Sequence, residues 1–322
     1  MSIYPISVPA ERETKRVPLR RTLRQWFDTD QCSAPLDPAT GDRIDWLRAA
    51  PFIALHLGCL GALWTGVSAS ALTAAALLYA VRMFAITGFY HRGFSHRTFR
   101  ASRPIQLLFA VIGAACVQRG PLWWAAHHRN HHRDADTPLD PHSPRVHGFW
   151  RSHMGWFLTR RAFRTDLGRV ADLAKYPELR WLDRYDIAVP VALAAVLYGL
   201  GALLSRIAPQ LGTDGPQLLA WGFCISTVVL FHATVTINSL AHRWGSRRFE
   251  TRDDSRNNFL LALLTFGEGW HNNHHRFPGA ARQGFRWWEI DLTWYGLRLL
   301  AALGLISGLK PLPARVLAAA RR

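Results

Sequence analysis

Between Pro51 and Tyr90 the chain runs for about 40 residues with one fixed charge, Arg82, and one weak point at Gly66 to Ser70. A membrane-spanning helix takes about 20 apolar residues, so this block predicts two crossings with a turn between them. A second pair follows, Ile187 to Leu204 and Gln217 to Leu240, joined by a short loop containing Pro and Gly. Four transmembrane helices are therefore expected, at about 51–67, 70–90, 187–204 and 217–240. The run Ile105 to Val117 is too short to span and predicts an interfacial or protein-buried helix. Leu292 to Leu309, which carries Trp294 and Arg298, is expected at the membrane interface.

The polar remainder is strongly basic. The formal net charge is +17, yet the loop Ser205 to Pro216 holds a single basic residue, Arg206. Most of the arginine lies in His91 to Tyr185 and Ala241 to Arg322, which places both segments and both termini on the cytoplasmic side. That bias, with contacts to anionic lipid, accounts for the charge. No nucleic-acid recognition module accompanies it. The organisation expected is a basic cytoplasmic tail over 1–48, without a removable signal peptide, a membrane domain over 49–309 and a C-terminal tail over 310–322. The four cysteines lie far apart with no CxxC pair and read as inert thiols.

Histidine carries the chemistry. "HRGFSH" places His91 and His96 at the end of the second apolar block, "HRNHH" holds His128, His131 and His132, and "HNNHH" holds His271, His274 and His275. With 15 histidines in 322 residues, a chance HxxHH arises on the order of 0.03 times per chain, so two are roughly a one-in-a-thousand coincidence. The spacing i, i+3, i+4 puts three imidazoles on one helix face, where they can converge on a metal. Two crossings separate the groups and return the chain to the same side, so all eight can meet, with His242 as a ninth. That exceeds the four to six ligands of one ion and implies two metal ions, whose identity spacing alone leaves open.

The order HxxxxH, HxxHH, HxxHH with four membrane helices resembles the membrane fatty acyl desaturase family, in detail its stearoyl-CoA (delta-9) branch without a fused cytochrome b5. The likeness runs from about Tyr79 to Pro278 and includes "ITGFYHRGFSHRTFR", "INSLAHRWG" and "GEGWHNNHHRFP". It implies an all-α membrane protein whose cytoplasmic helical cap holds a histidine-rich dinuclear site. The nine histidines would bind two iron ions, with Asn238 reaching one through water, and O2 would serve as co-substrate. The reaction implied is formation of a cis double bond, delta-9, in a saturated acyl-CoA of about C16–C18.

The resemblance also implies substrate contacts. Gln118, Trp124 and Thr234 match positions that line the bend of the family's acyl tunnel, and Tyr79 and Met83 match positions near its closed end. Met83 is bulkier than the family's small residue there, which favours chains nearer sixteen carbons than eighteen. Arg160 and Arg161 match a basic pair that holds the CoA headgroup. Ala126, His127 and Arg119 depart from the family at headgroup positions, leaving acyl-carrier protein or a phospholipid as other carriers. His127 is expected beside the metal site without binding it. His142, His147 and His153 are expected in fold-stabilising hydrogen bonds, and His56 and His232 as polar groups satisfied within the helix bundle. No GxGxxG or HPGG-type haem segment is present, so a separate donor such as a ferredoxin, a rubredoxin or a cytochrome b5 with its reductase is implied. A lipid hydroxylase could use the same histidines. A metal transporter or sensor would place its ligands inside the spans instead.

Overall fold

The computed structural model describes residues 24, 26–32 and 41–316. Residues 1–23, 25 and 33–40 of the expected N-terminal tail and 317–322 of the expected C-terminal tail lie outside the described residues.

Four helices are long and apolar enough to cross a membrane: α1 (Trp46–Thr65), α2 (Ala69–Ser95), α6 (Ala188–Ile207) and α7 (Gly215–Ser239). At 1.5 Å per residue the 20 residues of α1 or α6 give about 30 Å, the thickness of a bilayer core. The apolar runs thus found the right four spans, with shifted ends. α1 begins five residues earlier than expected because Asp45 caps it, accepting from Arg48 N at 3.3 Å. The turn after it is made by Gly66 at φ +65°, which a side chain would disfavour, and Ser68 caps α2 by accepting from Ala71 N at 3.1 Å. Of the four, α7 is the most enclosed, with 56% of its apolar window buried against 11% for α1.

Between the two helix pairs lie α3 (Arg103–Ala114), α4 (Pro121–Asp134) and α5 (Pro177–Arg184). The short apolar run predicted as a buried or interfacial helix is α3. After α7 come α8 (Phe259–Leu264), α9 (His271–Arg276) and α10 (Leu292–Ala302), the last within the segment expected at the interface. A two-residue ladder pairs β1 (Arg100–Ala101) antiparallel with β2 (Ile306–Ser307), tying the start of the cap to the segment after α10.

One core joins these parts. Ile86, Phe89 and Tyr90 of α2, Leu122 and Ala125 of α4, Leu230 of α7 and Leu297 of α10 belong to a single buried cluster. α3 reaches it through Gly113, where a Cβ would sit 2.2 Å from the Tyr90 ring; Tyr90 Oη in turn donates to Ala110 O at 2.9 Å. α4 is seated by Gly120, whose missing Cβ leaves room for the Asp183 backbone, while Asp183 Oδ1 accepts from Trp123 N at 2.7 Å. The described part of the N-terminal tail is docked here too, Thr29 Oγ1 donating to Asp183 O at 3.1 Å.

Candidate metal centre

The HxxxxH spacing poses a geometric difficulty, because residues five apart on an α-helix point about 140° away from each other. The last part of α2, Ala85–Ser95, solves it by winding as a π-helix, with His96 N donating to His91 O at 3.2 Å across five residues. The wider turn brings the His91 and His96 ring centroids to 4.9 Å. Arg92 anchors the segment, buried between Glu268 and Asp291 at 3.0 and 2.9 Å.

The nine histidines fall into two groups whose nitrogens lie within 4.8 Å of one another: His91, His96, His128, His132 and His274 in one, His131, His242, His271 and His275 in the other. This corrects the expectation that each HxxHH box converges on one ion. Positions i and i+4 of a helix are about 40° apart, while i+3 and i+4 diverge by about 100°. His128 and His132 therefore face the first group and His131 the second; His271 and His275 face the second and His274 the first. Each box contributes to both groups and locks them side by side. The asparagines inside "HNNHH" hold α9 in place, Asn272 Oδ1 accepting from Phe249 N at 2.8 Å and Asn273 Nδ2 donating to Gln283 O at 2.9 Å.

The nitrogens that face inward are Nε2. His91 and His274 meet at 3.0 Å, His274 and His132 at 2.9 Å, His96 and His128 at 2.7 Å, and His242 and His271 at 3.0 Å, all through Nε2. The Nδ1 atoms are turned outward to acids: His242 to Asp136 at 2.8 Å, His131 to Asp140 at 3.0 Å, His275 to Asp253 at 2.8 Å, and His91 to Glu268. An acid on Nδ1 fixes the tautomer and leaves the Nε2 lone pair for a metal. His275 Nε2 is buried and has no hydrogen-bond partner, as a ligand atom aimed at an ion would be. The donor set fits one metal ion per group.

Burial, reinforced by the neighbouring imidazoles, holds His128, His132, His271 and His274 well below the ordinary histidine range, and His275 falls to about 4, so these rings are neutral at physiological pH. His131 is the exception: burial lowers it, but Asp140, Asp136 and Asp253 together raise it above the ordinary value. Burial would raise the Asp136, Asp140 and Asp253 carboxyls, yet hydrogen bonds and charge contacts with their histidines hold them well below the usual carboxylate range. These acids were not singled out in the sequence. Asp140 also faces His142 Nδ1 at 3.3 Å, so Asp140 and His142 stand behind His131 on the outer side of the second group.

Beside the first group lies a cavity of about 220 Å³ lined by His128, Gln118, Trp124, Thr234 and Asn238. Gln118 Nε2 donates to Thr234 Oγ1 at 3.1 Å, Trp124 Nε1 to Gln118 Oε1 at 3.4 Å, and the Trp124 ring stacks on His128 at 5.1 Å. His127 stands in the cavity wall, 4.4 Å from the Trp123 ring, outside both metal-facing groups. Tyr79 and Met83 are not among the lining residues: Tyr79 Oη donates to Leu264 O at 2.5 Å and Met83 is fully buried in the core. Arg160 and Arg161 sit away from the cavity in a turn against residues 41–43, where Arg161 pairs with Asp42 at 3.3 Å.

Residues 68–305 match the Fatty acid desaturase family. The chain is 36% identical over 279 residues to an sn-1 stearoyl-lipid 9-desaturase of Anabaena variabilis, covering 84% of this chain and 96% of that protein. It is 39% identical over 216 residues to an acyl-CoA C20 Delta5-desaturase of Anemone leveillei, covering 66% and 65%, and 37% identical over 216 residues to Delta-9 acyl-lipid desaturase 1 of Arabidopsis thaliana, covering 66% of each. The chain thus spans slightly less than two thirds of the Anemone protein and nearly all of the Anabaena one.

Proposed function

Because the chain belongs to the fatty acid desaturase family, we propose that it introduces a cis double bond at delta-9 into a saturated acyl-CoA of about C16–C18. The observation that carries this reading is the convergence of nine histidines in two adjoining groups, the first of which reaches the largely apolar cavity through His128. The reaction balances as one saturated –CH2–CH2– unit, one O2, two electrons and two protons giving –CH=CH– and two waters.

Two iron ions held by the nine histidines, with Asn238 reaching one of them through water, would supply the activation of O2 needed to remove hydrogen from an unactivated chain. The protein's own part is positional. Asp136, Asp140, Asp253 and Glu268 hold four of the rings in the metal-binding tautomer. Gln118, Trp124 and Thr234 form a linked wall that sets where the chain passes the metals. Positive-inside bias puts the histidine cap and both termini in the cytoplasm, where a ferredoxin, a rubredoxin or a cytochrome b5 with its reductase supplies electrons.

A lipid-borne acyl chain is the second reading, and specific contacts favour it. Arg161, one of the two cations expected at a CoA phosphate, is already paired with Asp42, and Arg119, which departs from the family at a headgroup position, is paired with Asp186 at 2.9 Å. The relative covering almost the whole chain is named for a lipid substrate. The test is purified protein in bilayer discs, given a reduced donor and either stearoyl-CoA or a stearoyl phospholipid, with product located by mass spectrometry. Oleoyl-CoA supports the first reading and an oleoyl phospholipid the second; a hydroxylated chain from both would reassign the reaction.

A further inference from the structure

Three histidines outside the metal centre form a continuous hydrogen-bonded row. His56 Nδ1 lies 2.8 Å from Phe52 O, His56 Nε2 lies 3.1 Å from His232 Nε2, His232 Nδ1 lies 3.0 Å from His153 Nε2, and His153 Nδ1 lies 2.9 Å from Ser239 Oγ. The direction of the row is dictated at one end. Phe52 O only accepts, so His56 Nδ1 carries the proton and His56 Nε2 accepts from His232 Nε2–H. His232 Nδ1 then accepts from His153 Nε2–H, and His153 Nδ1 accepts from the Ser239 hydroxyl once that hydroxyl turns from Val235 O, which lies 3.0 Å away on the same helix. Three neutral rings with one proton each fill the contacts from Phe52 to His153.

The row joins three separate pieces of the fold: α1, α7 and the Arg151–Gly155 turn of the cap. Each piece also carries one ring of the cavity wall. Phe52 lies on α1, Phe231 on α7, and Phe157 just after the turn, and all three line the cavity. Their centroids are 5.0–5.4 Å apart in edge-on contacts. His56 lies 4.4 Å from the Phe52 ring and His232 lies 5.3 Å from the Phe231 ring. Two of the three imidazoles thus touch rings of the cavity wall, and His153 is joined to them through His232.

We propose that His56, His232 and His153 are positioning residues that clamp this aromatic wall and so fix which carbon of the acyl chain is presented to the metals. The idea rests on the desaturase reading. Its physical basis is that a misplacement of about 1 Å costs on the order of a hundredfold in rate at the intended centre. Such a displacement is comparable to the advance of one methylene, so a loosened wall lets neighbouring carbons compete.

The test compares His232→Phe, which keeps a ring but breaks both contacts, with His232→Gln, whose amide supplies a donor and an acceptor. Both are expressed beside the wild type, and double-bond position and metal content are measured. The expected result is unchanged metal content in all three, a single bond position in wild type and His232→Gln, and product from His232→Phe in which part of the double bond is shifted by one or more carbons. One unshifted position in His232→Phe, or equal shifts in both variants, overturns the clamp. Should His232→Phe fail to accumulate in membranes, His56→Phe at the far end of the row is read by the same two outcomes. Loss of all three variants from the membrane would assign the row to folding alone and also overturn it. Absence of any monoene from the wild type is a separate result that removes the desaturase reading.

Discussion

Replacing Asp253 by Asn should weaken the second metal position while sparing the first. Asp253 Oδ2 accepts from His275 Nδ1 at 2.8 Å, and its Oδ1 accepts from Ser255 N at 3.0 Å. The amide is nearly the same size but lacks charge, and one of its two ends becomes a donor, so one of these bonds is lost and the other is weakened. Removing the acid behind a metal-binding histidine typically costs 10- to 100-fold in metal affinity. That corresponds to about 1.4–2.7 kcal/mol. His275 belongs to the four-histidine group, and none of the five imidazoles of the other group hydrogen-bonds or pairs with Asp253 among the described residues. Purified wild type and Asp253→Asn would be equilibrated with increasing chelator and their metal content measured by mass spectrometry. The expected outcome is a two-step loss in the variant, the first ion leaving at about 10- to 100-fold lower chelator strength than in wild type while the second follows the wild-type curve. Superimposable curves would refute the claim that the outer acids tune the metals, and simultaneous loss of both ions would refute the independence of the two groups.

Other outcomes follow from single contacts. His127→Phe should retain wild-type metal content whereas His128→Ala should not, because only His128 faces the other ligands. Gly113→Ala should destabilise by about 1–3 kcal/mol through overpacking against Tyr90 and lower metal loading by displacing the neighbouring His91, read as a lower unfolding midpoint and a reduced metal content. Burial raises Asp183 to about 6 in the fold, above its value of about 4 in an unfolded chain, so its contribution is fully present below pH 4 and is lost as pH rises through 6. The cost at neutral pH is about 3 kcal/mol, and the fall in unfolding midpoint between pH 5 and 7 should be smaller in Asp183→Asn than in wild type.

The spans were legible because an apolar run of membrane length has one stable use, and their ends shifted only where local contacts intervene, as with the Asp45 cap on α1. The histidine boxes were legible by their rarity. How they divide was not, because a box viewed as one helix face hides the angle between His131 and His132, and HxxxxH makes geometric sense only once α2 is seen to unwind into a π-helix. Some of the acids behind the rings came from distant positions, Asp136 lying 106 residues from the His242 it orients, whereas Asp140 lies only 9 from His131. Asp136, Asp140 and Glu268 do sit within or beside the histidine motifs, and acids adjoining such boxes are the signal that could have found them. The row of His56, His232 and His153 spans separations of 176 and 79 residues, a juxtaposition that no periodicity encodes.

The most direct test of the central claim is the fatty-acid profile of a desaturase-deficient host expressing the wild type beside His274→Ala, with double bonds located by mass spectrometry. His274 Nε2 meets both His91 and His132, so its loss opens the first metal group at its centre. The expected result is a new cis monoene with the wild type and none with the variant. A hydroxylated chain in place of the monoene, or an equal monoene yield from the two proteins at equal membrane abundance, would contradict the assignment of desaturation to this histidine centre.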